Sequence, residues 1–253
     1  MDTDALYRPL VLMPCYNEGP RVAAVIEDLK RAIPEAGIAV IDDASTDDSA
    51  RIARAAGAIV LSHGCNLGYG AALETGYLYA NRNGYGPVLQ IDADGQHPPD
   101  QLPPLLAAVR NGEADIASGS RHLNGPDPET PVIRRAGHAL FAGIIRVLTG
   151  LRTTDPTSGM QALSRRAITF FSSGVFPCDY PDSDVIVMAH MAGLKVKELP
   201  VSMRSREGGA SMHSGLKPIY YAIKMLLSLF MVLLNVFQWR QWRIRSSSQG
   251  ALS

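Results

Sequence analysis

Val88-Leu-Gln-Ile-Asp-Ala-Asp-Gly-Gln-His97 leads from four residues of buried-strand character into Asp92 and Asp94, one residue apart, and then turns at Gly95. Two carboxylates held that close repel each other and are hard to desolvate unless a cation sits between them. Mg²⁺ or Mn²⁺ suits the pair, because such ions take oxygen ligands and keep positions open for water and a substrate diphosphate. Asp92, Asp94 and Gln96 therefore read as a pyrophosphate clamp. A calcium loop fails on its own spacing: Gly95 comes two places early, and the twelfth position is Pro103 instead of a bidentate glutamate. The non-catalytic alternative is an Asp-rich turn capping the helix that Pro98 and Pro99 announce.

On the N-terminal side of this stretch one unit repeats. Leu10 to Met13 is a short apolar run stopped by Pro14, followed by Tyr16-Asn17-Glu18-Gly19 and a helical pattern of Val22, Val25, Ile26 and Leu29. Ile38 to Ile41 repeats the strand signal and runs into Asp42-Asp43-Ala44-Ser45-Thr46-Asp47-Asp48, where Ser45 or Thr46 is expected to cap a helix reaching Ala56. Ala58 to Leu61 is a third strand, and Asn66-Leu-Gly68-Tyr-Gly70 opens a helix from about Ala71 to Arg82. Strands alternating with helices of this length predict a parallel sheet with crossover helices, whose ligands sit beyond the carboxyl ends of the strands. The three polar stretches, Tyr16 to Glu18, Asp42 to Ser45 and Asp92 to Gln96, all follow strand ends and should converge on one edge. A dinucleotide fingerprint is not met, since Leu73 stands where its third glycine belongs and Gly68-Tyr-Gly70 follows the third strand, not the first.

The second half is less regular. Pro103 to Val109 continues a helix, Asp115 to Ala117 is a strand, and Ser118-Gly-Ser-Arg121 ends it with a cation expected near the diphosphate. A largely apolar helix is expected over Ala136 to Leu148, after Arg134 and Arg135. Asp155 to Gln161 reads as a loop into a short strand, Val185 to Met191 as a helix behind Asp179, Asp182 and Asp184, and Lys195 to Val201 as a strand. Arg204 to Ser214 is a polar, glycine-containing loop able to fold over a ligand.

With 253 residues, 46% hydrophobic, and a formal net charge of zero, the chain is large enough for one sizeable core, and no charge excess points to nucleic acid. The first nine residues are polar and acidic, so no secretory leader is expected. Cys15, Cys65 and Cys178 lack metal-ligand spacing and read as small buried hydrophobes of a reduced compartment. Ile219 to Trp239 is almost wholly apolar. Its Lys224, Ser228, Asn235 and Gln238 fall in a narrow stripe at about 100° per residue, and Trp239, Arg240, Trp242, Arg243 and Arg245 follow as interfacial anchors. Such a helix fits in-plane attachment to a membrane surface, a span or re-entrant insertion, or packing on a membrane-protein partner or a second protomer.

Taken together these pieces resemble a known family, the GT-A-fold glycosyltransferases of family 2, and within it the dolichol-phosphate mannosyltransferase-like enzymes that load a sugar onto polyprenyl phosphate. The resemblance rests on Pro14-Cys-Tyr16-Asn17-Glu18, Asp42-Asp43-Ala-Ser45-Thr-Asp47, Asn66-Leu-Gly68-Tyr-Gly70, Asp92-Ala-Asp94-Gly-Gln96-His97, Ser118-Gly-Ser-Arg121, Asp155 with Ser158-Gly159, and Arg206-Glu-Gly-Gly209-Ala-Ser211. It implies a Rossmann-like α/β fold with a mixed, mainly parallel sheet over residues 10–215. Around that unit lie a flexible start at 1–9, a membrane-associating or interface helix at 216–245 and a disordered tail at 246–253.

Carried onto this chain, the resemblance implies that Pro14, Tyr16, Asn17, Glu18, Asp42, Asp43, Ser45, Asn66, Gly70 and Asp92 bind a UDP- or GDP-sugar. Asp92, Asp94 and Gln96 would hold the Mg²⁺ or Mn²⁺, with Asp94 and Arg121 in the catalytic group. Arg121, Arg134, Arg135, Ser158, Arg206 and Ser211 would contact phosphates of donor or acceptor, a task suited to forked, permanently charged guanidinium groups. Inverting transfer to a polyprenyl phosphate on the cytoplasmic side of the membrane, by a peripheral or monotopic protein, is the expected activity. The alternative is extension of a lipid-linked or polysaccharide hydroxyl acceptor in cell-envelope glycan synthesis. That alternative needs a base, for which Asp182 or Asp184 is the candidate, although both also suit a solvated helix start. Two departures stand out: Ala44 where relatives often carry glycine, tolerable if that backbone is not left-handed, and Met212 where many carry lysine.

Overall fold

The computed structural model describes residues 7–123, 142–147, 149–177, 181, 183–202, 227, 231 and 234. Among them, β1 (Leu10–Cys15), β2 (Gly37–Asp42), β3 (Ile59–Ser62), β4 (Val88–Gln90), β5 (Ile116–Ser120), β6 (Gln161–Leu163) and β7 (Val196–Pro200) form one sheet in the order 3-2-1-4-6-5-7. Neighbours are parallel except β6, which runs antiparallel between β4 and β5. The sheet is therefore mixed and mainly parallel, as expected. Its helices are α1 (Gly19–Ala32), α2 (Ser49–Ala55), α3 (Tyr69–Arg82), α4 (Leu102–Arg110, after a 3₁₀ turn at Pro99–Gln101), α5 (Arg165–Phe171) and α6 (Ser183–Met191).

The central strands look uniformly apolar because both of their faces are covered, which is what a crossover sheet requires. Alternate side chains divide between two cores. Leu10, Leu12 and Ile41 pack with Leu73 and Tyr77 of α3, Phe170 and Phe171 of α5 and Val187 of α6. Val11, Met13 and Val40 pack with Val22, Ile26 and Leu29 of α1 and Leu105 and Val109 of α4. Gly76 lets α3 lie close on the sheet, since a Cβ there would come within 2.7 Å of a Leu12 methyl.

Strand order reverses at β1, with β2 and β3 on one side and β4 on the other. Such a switch point opens a crevice beyond the carboxyl ends of β1 and β4, where ligands of open α/β sheets bind. Because β6 is antiparallel, the loop that enters it at Gln161 lies at that same edge, opposite Gln90 and Ser118.

Three expectations need correction. Ser45 and Thr46 do not cap the helix after β2, which starts at Ser49 with Asp48 as its first flanking residue. The intervening chain is held instead by Asp47, whose Oδ1 accepts from Ser49 N at 2.9 Å and whose Oδ2 accepts from Gly19 N at 3.0 Å. Helix α5 was not expected at all. Ser164 caps it by accepting from Ala167 N, and Ala167, Ile168, Phe170 and Phe171 are buried. Cys15 is buried, with its thiol pushed up to about 11 chiefly by desolvation, but Cys65 is exposed in the β3–α3 loop and is no core residue. Cys178 lies outside the described residues.

Residues 142–147 are helical, within the expected 136–148 span, and Ile145 is buried. Most of the expected C-terminal helix is outside the described residues; Leu227, Met231 and Leu234 are helical and exposed. Among the described residues no helix is long and apolar enough to cross a membrane.

Candidate active site

Ile91 N donates to Leu12 O at 3.1 Å, extending the β1–β4 ladder by one bond and delivering Asp92 directly to the switch-point crevice. Its Oδ1 accepts from the Tyr69 hydroxyl at 3.0 Å, and that hydroxyl accepts from Gln90 Nε2 at 3.2 Å. Gln90 Oε1 in turn accepts from the buried Tyr77 hydroxyl at 2.5 Å. Burial, with Asp92 alongside, pushes the Tyr69 hydroxyl well above its ordinary range, so it remains a donor. Asp92 Oδ2 faces the backbone of Gly159, where a Cβ would stand only 2.9 Å away. Asp94 is held differently: Gly95 takes a left-handed φ of 76°, and Gln96 N folds back to donate to Asp94 Oδ1 at 3.0 Å.

His97 is only 4% exposed, and its Nδ1, 3.5 Å from Asp92 Oδ2, has no hydrogen-bond partner among the described residues. A buried polar atom left unpaired beside a carboxylate marks a place where a further polar group or ion is accommodated. The donor set of two carboxylates and Gln96 is all oxygen and suits a hard divalent ion. Among the described residues no three His, Cys, Asp or Glu side chains gather around one metal-sized point.

The loops after β1 and β2 are tied to each other. Asn17, itself left-handed at φ 57°, donates its N–H to Ser45 Oγ at 2.9 Å and accepts from Thr46 N at 2.8 Å. Glu18 N donates to Ser49 Oγ at 2.8 Å. Asn17 and Ser45 therefore brace the rim, while Tyr16, just past β1, is 49% exposed and Pro14 is buried in the strand.

Asp42 and Asp43 are both buried yet play unlike parts. Asp43 takes Leu67 N on Oδ1 and Gly68 N on Oδ2, each at 2.8 Å, with His63 Nδ1 also 2.8 Å from Oδ1. Asn66 Nδ2 adds a bond to Asp43 O at 3.3 Å. Asp43 thus anchors the loop that carries Gly70 and Tyr69 into α3. Asp42 accepts from Ser45 N at 3.2 Å through Oδ1.

Arg121, expected as a phosphate cation, is engaged by Asp155. Nε and Nη2 bind the two carboxylate oxygens at 2.6 Å each, and Asp155 is wholly buried. Although burial works against it, the guanidinium holds the Asp155 carboxyl below its ordinary range. Glu198 of β7 clasps the same loop, accepting from Thr154 N at 2.8 Å and Asp155 N at 3.1 Å. Ser158 is buried, and its hydroxyl accepts from Met160 N at 3.4 Å. Asp184 is buried in the first turn of α6, with Val185 N donating to its Oδ1 at 2.9 Å, which excludes a solvated helix start. Asp182, Arg134, Arg135, Arg206 and Ser211 lie outside the described residues.

Sequence reasoning missed Tyr69, Gln90, His97 and Glu198 as parts of this edge. One signal was present: Gln90 is a polar side chain in a strand otherwise buried on both faces, and such a residue demands a partner.

The switch-point crevice, the antiparallel β6 insertion and the carboxylate couple together define a GT-A-fold transferase. The chain belongs to glycosyl transferase family 2, whose model matches residues 10–170, and it is a glycosyltransferase. It is 32% identical over 82% of its length to an undecaprenyl-phosphate mannosyltransferase of Micrococcus luteus, covering 88% of that protein. It is 33% identical over 82% to a polyprenol monophosphomannose synthase of Mycolicibacterium smegmatis, covering 82% of that one. A low-salt glycan biosynthesis hexosyltransferase of Haloferax volcanii is 34% identical over 84% of this chain, which spans about half, 52%, of that longer relative. Among solved structures, glucosyl-3-phosphoglycerate synthase from Mycobacterium tuberculosis, in a complex with Mn²⁺ and UDP-glucose, shares the fold with a TM-score of 0.66 at 19% identity, over 90% of this chain and 79% of that one.

Proposed function

We propose that the protein transfers a hexose, with inversion, from a UDP- or GDP-sugar to a polyprenyl phosphate, using a divalent ion. The carrying observation is the placement of Asp92 and Asp94 at the switch-point edge, with Asp92 gripped by Tyr69. The names of the Micrococcus and Mycolicibacterium relatives, and the Mn²⁺ and UDP-glucose in the fold neighbour, support the acceptor and the cofactor.

In this reading Asp92, Asp94 and Gln96 hold the ion, whose charge, when it is bound, stabilises the departing diphosphate. Exposed Tyr16 offers its ring to the base, and Asp42 accepts from a base N–H. An oxygen of the lipid phosphate attacks the anomeric carbon from the face opposite the leaving group. The bond from that carbon to the diphosphate oxygen breaks, and the nucleoside diphosphate departs with the electron pair. The attacking oxygen is already anionic, so the step needs no general base. Residues 10–215 form the catalytic unit, and the apolar 216–245 stretch attaches it to the cytoplasmic membrane surface.

Purified protein given UDP- and GDP-hexoses with undecaprenyl phosphate, in Mn²⁺ or in EDTA, should form a sugar-lipid that mass spectrometry detects only with the metal. Asp92→Asn with Asp94→Asn should abolish the product; undiminished transfer by that double variant rejects the reading.

A further inference from the structure

Asp92 owes its orientation to side chains outside the acidic stretch. An ionised carboxylate only accepts hydrogen bonds, so the Tyr69 hydroxyl must be the donor across their 3.0 Å contact. The Tyr69 oxygen is then free to accept from Gln90 Nε2 at 3.2 Å. That orients the amide with Oε1 toward Tyr77, which donates at 2.5 Å. The direction of every bond in this row follows from the carboxylate, and the row ends on Tyr77, a ring packed against Phe171 and Phe176 at centroid distances of 5.6 and 5.2 Å. A rigid aromatic core thus sets the angle of one acidic side chain at the rim. On the far side of Asp92 the Gly159 backbone closes in, 2.9 Å from Oδ2 to the position of an added Cβ.

We propose that Tyr69, held by Gln90 and Tyr77, is a positioning residue that fixes Asp92 Oδ1 and so holds the carboxylate in the orientation in which it would bind the divalent ion. The inference rests on the metal-dependent reading above. Groups that hydrogen-bond metal-ligating carboxylates orient them, and their removal weakens metal affinity by about 10–100-fold.

The test is Mn²⁺ titration of wild type and Tyr69→Phe, followed by the electron paramagnetic resonance signal of free Mn²⁺ in the presence of UDP. Metal-free UDP affinity is measured by calorimetry alongside. Tyr69→Phe should raise the Mn²⁺ dissociation constant by roughly 10–100-fold while metal-free UDP affinity stays within about twofold. Equal Mn²⁺ affinity in the two proteins overturns the role of Tyr69. Wild-type protein that takes up no Mn²⁺ overturns the metal-dependent reading itself, so the two failures are distinct. If Tyr69→Phe does not fold, Gln90→Met removes the supporting donor with similar volume and should weaken Mn²⁺ in the same direction; unchanged affinity there equally overturns the proposal.

Discussion

Arg121 and Asp155 meet in a two-pronged ion pair across 34 residues of chain, with Nε and Nη2 each 2.6 Å from a carboxylate oxygen. The carboxylate is wholly buried and the guanidinium about a quarter exposed, at 26%. Removing the cation strands a buried charge, so Arg121→Ala should destabilise the fold by roughly 3 kcal/mol, read from urea unfolding. The pH dependence has a definite sign. The folded-state carboxyl lies below its ordinary 3.8, so its contribution is fully present above that value and is lost as pH falls through the depressed one. Acid unfolding of Arg121→Ala should therefore show a shallower dependence on pH below about 4 than wild type. An equal slope in the two proteins would show that the pair does not contribute.

Asp42 and Asp43 are adjacent in sequence but should separate experimentally. Asp43 accepts from two backbone N–H groups of the loop before α3, so Asp43→Ala strips part-buried donors of their partner and should cost about 1–3 kcal/mol, visible as a lowered melting temperature. The Asp42 carboxylate accepts only the 3.2 Å bond from Ser45 N among those described, and its proposed task is to bind the nucleotide base. Asp42→Asn should weaken UDP binding by about tenfold in calorimetry with little change in melting, because one hydrogen bond to a charged group is worth about 1.5–3 kcal/mol. A reversal of the two phenotypes would exchange their roles.

Ala44 takes a left-handed φ of 60° between Asp43 and Ser45, so the condition under which alanine is harmless there is not met. A left-handed conformation costs a residue with a Cβ about 1–2 kcal/mol, against about 0.4–1 kcal/mol of extra unfolded-state entropy for glycine. Ala44→Gly should thus stabilise by about 0.5–1 kcal/mol and raise the melting temperature by about 1–4 °C. A lower melting temperature would mean that Asn17 and Asp47 have relieved the strain.

Much of this arrangement was legible in one dimension for physical reasons. Runs such as Leu10 to Met13 are apolar at every position because both sheet faces are covered, and polar stretches follow each strand because backbone at a strand end has no ladder to satisfy it. What stayed illegible depends on contacts between distant segments. Tyr69 reads as the middle of a Gly-Tyr-Gly turn, and nothing near it says that its hydroxyl meets a carboxylate 23 residues later. Arg121 reads as a free cation for the same reason, since Asp155 reaches it only when antiparallel β6 enters the sheet. Ser45 and Thr46 have the chemistry of helix caps, but Asn17, from a different loop, takes both.

Gly159 offers the last separation. It is not left-handed, so an alanine there meets no backbone penalty, and the effect reduces to contact: the new Cβ would lie 2.9 Å from Asp92 Oδ2 and 3.4 Å from the Tyr69 hydroxyl oxygen. A carboxylate can swing away from such a contact, but Oδ1 is held at 3.0 Å by Tyr69, so the swing lengthens or breaks that bond. Gly159→Ala should therefore lower kcat/KM by about tenfold or more and weaken Mn²⁺ much as Tyr69→Phe does, with a stability change on the order of 1–2 kcal/mol from overpacking. Because both substitutions act through the same bond, they should not add: the double variant should fall well short of the product of the two single effects, a coupling of about 0.5–3 kcal/mol. Simple additivity in Mn²⁺ affinity would mean that the loop before β6 and the tyrosine reach Asp92 independently.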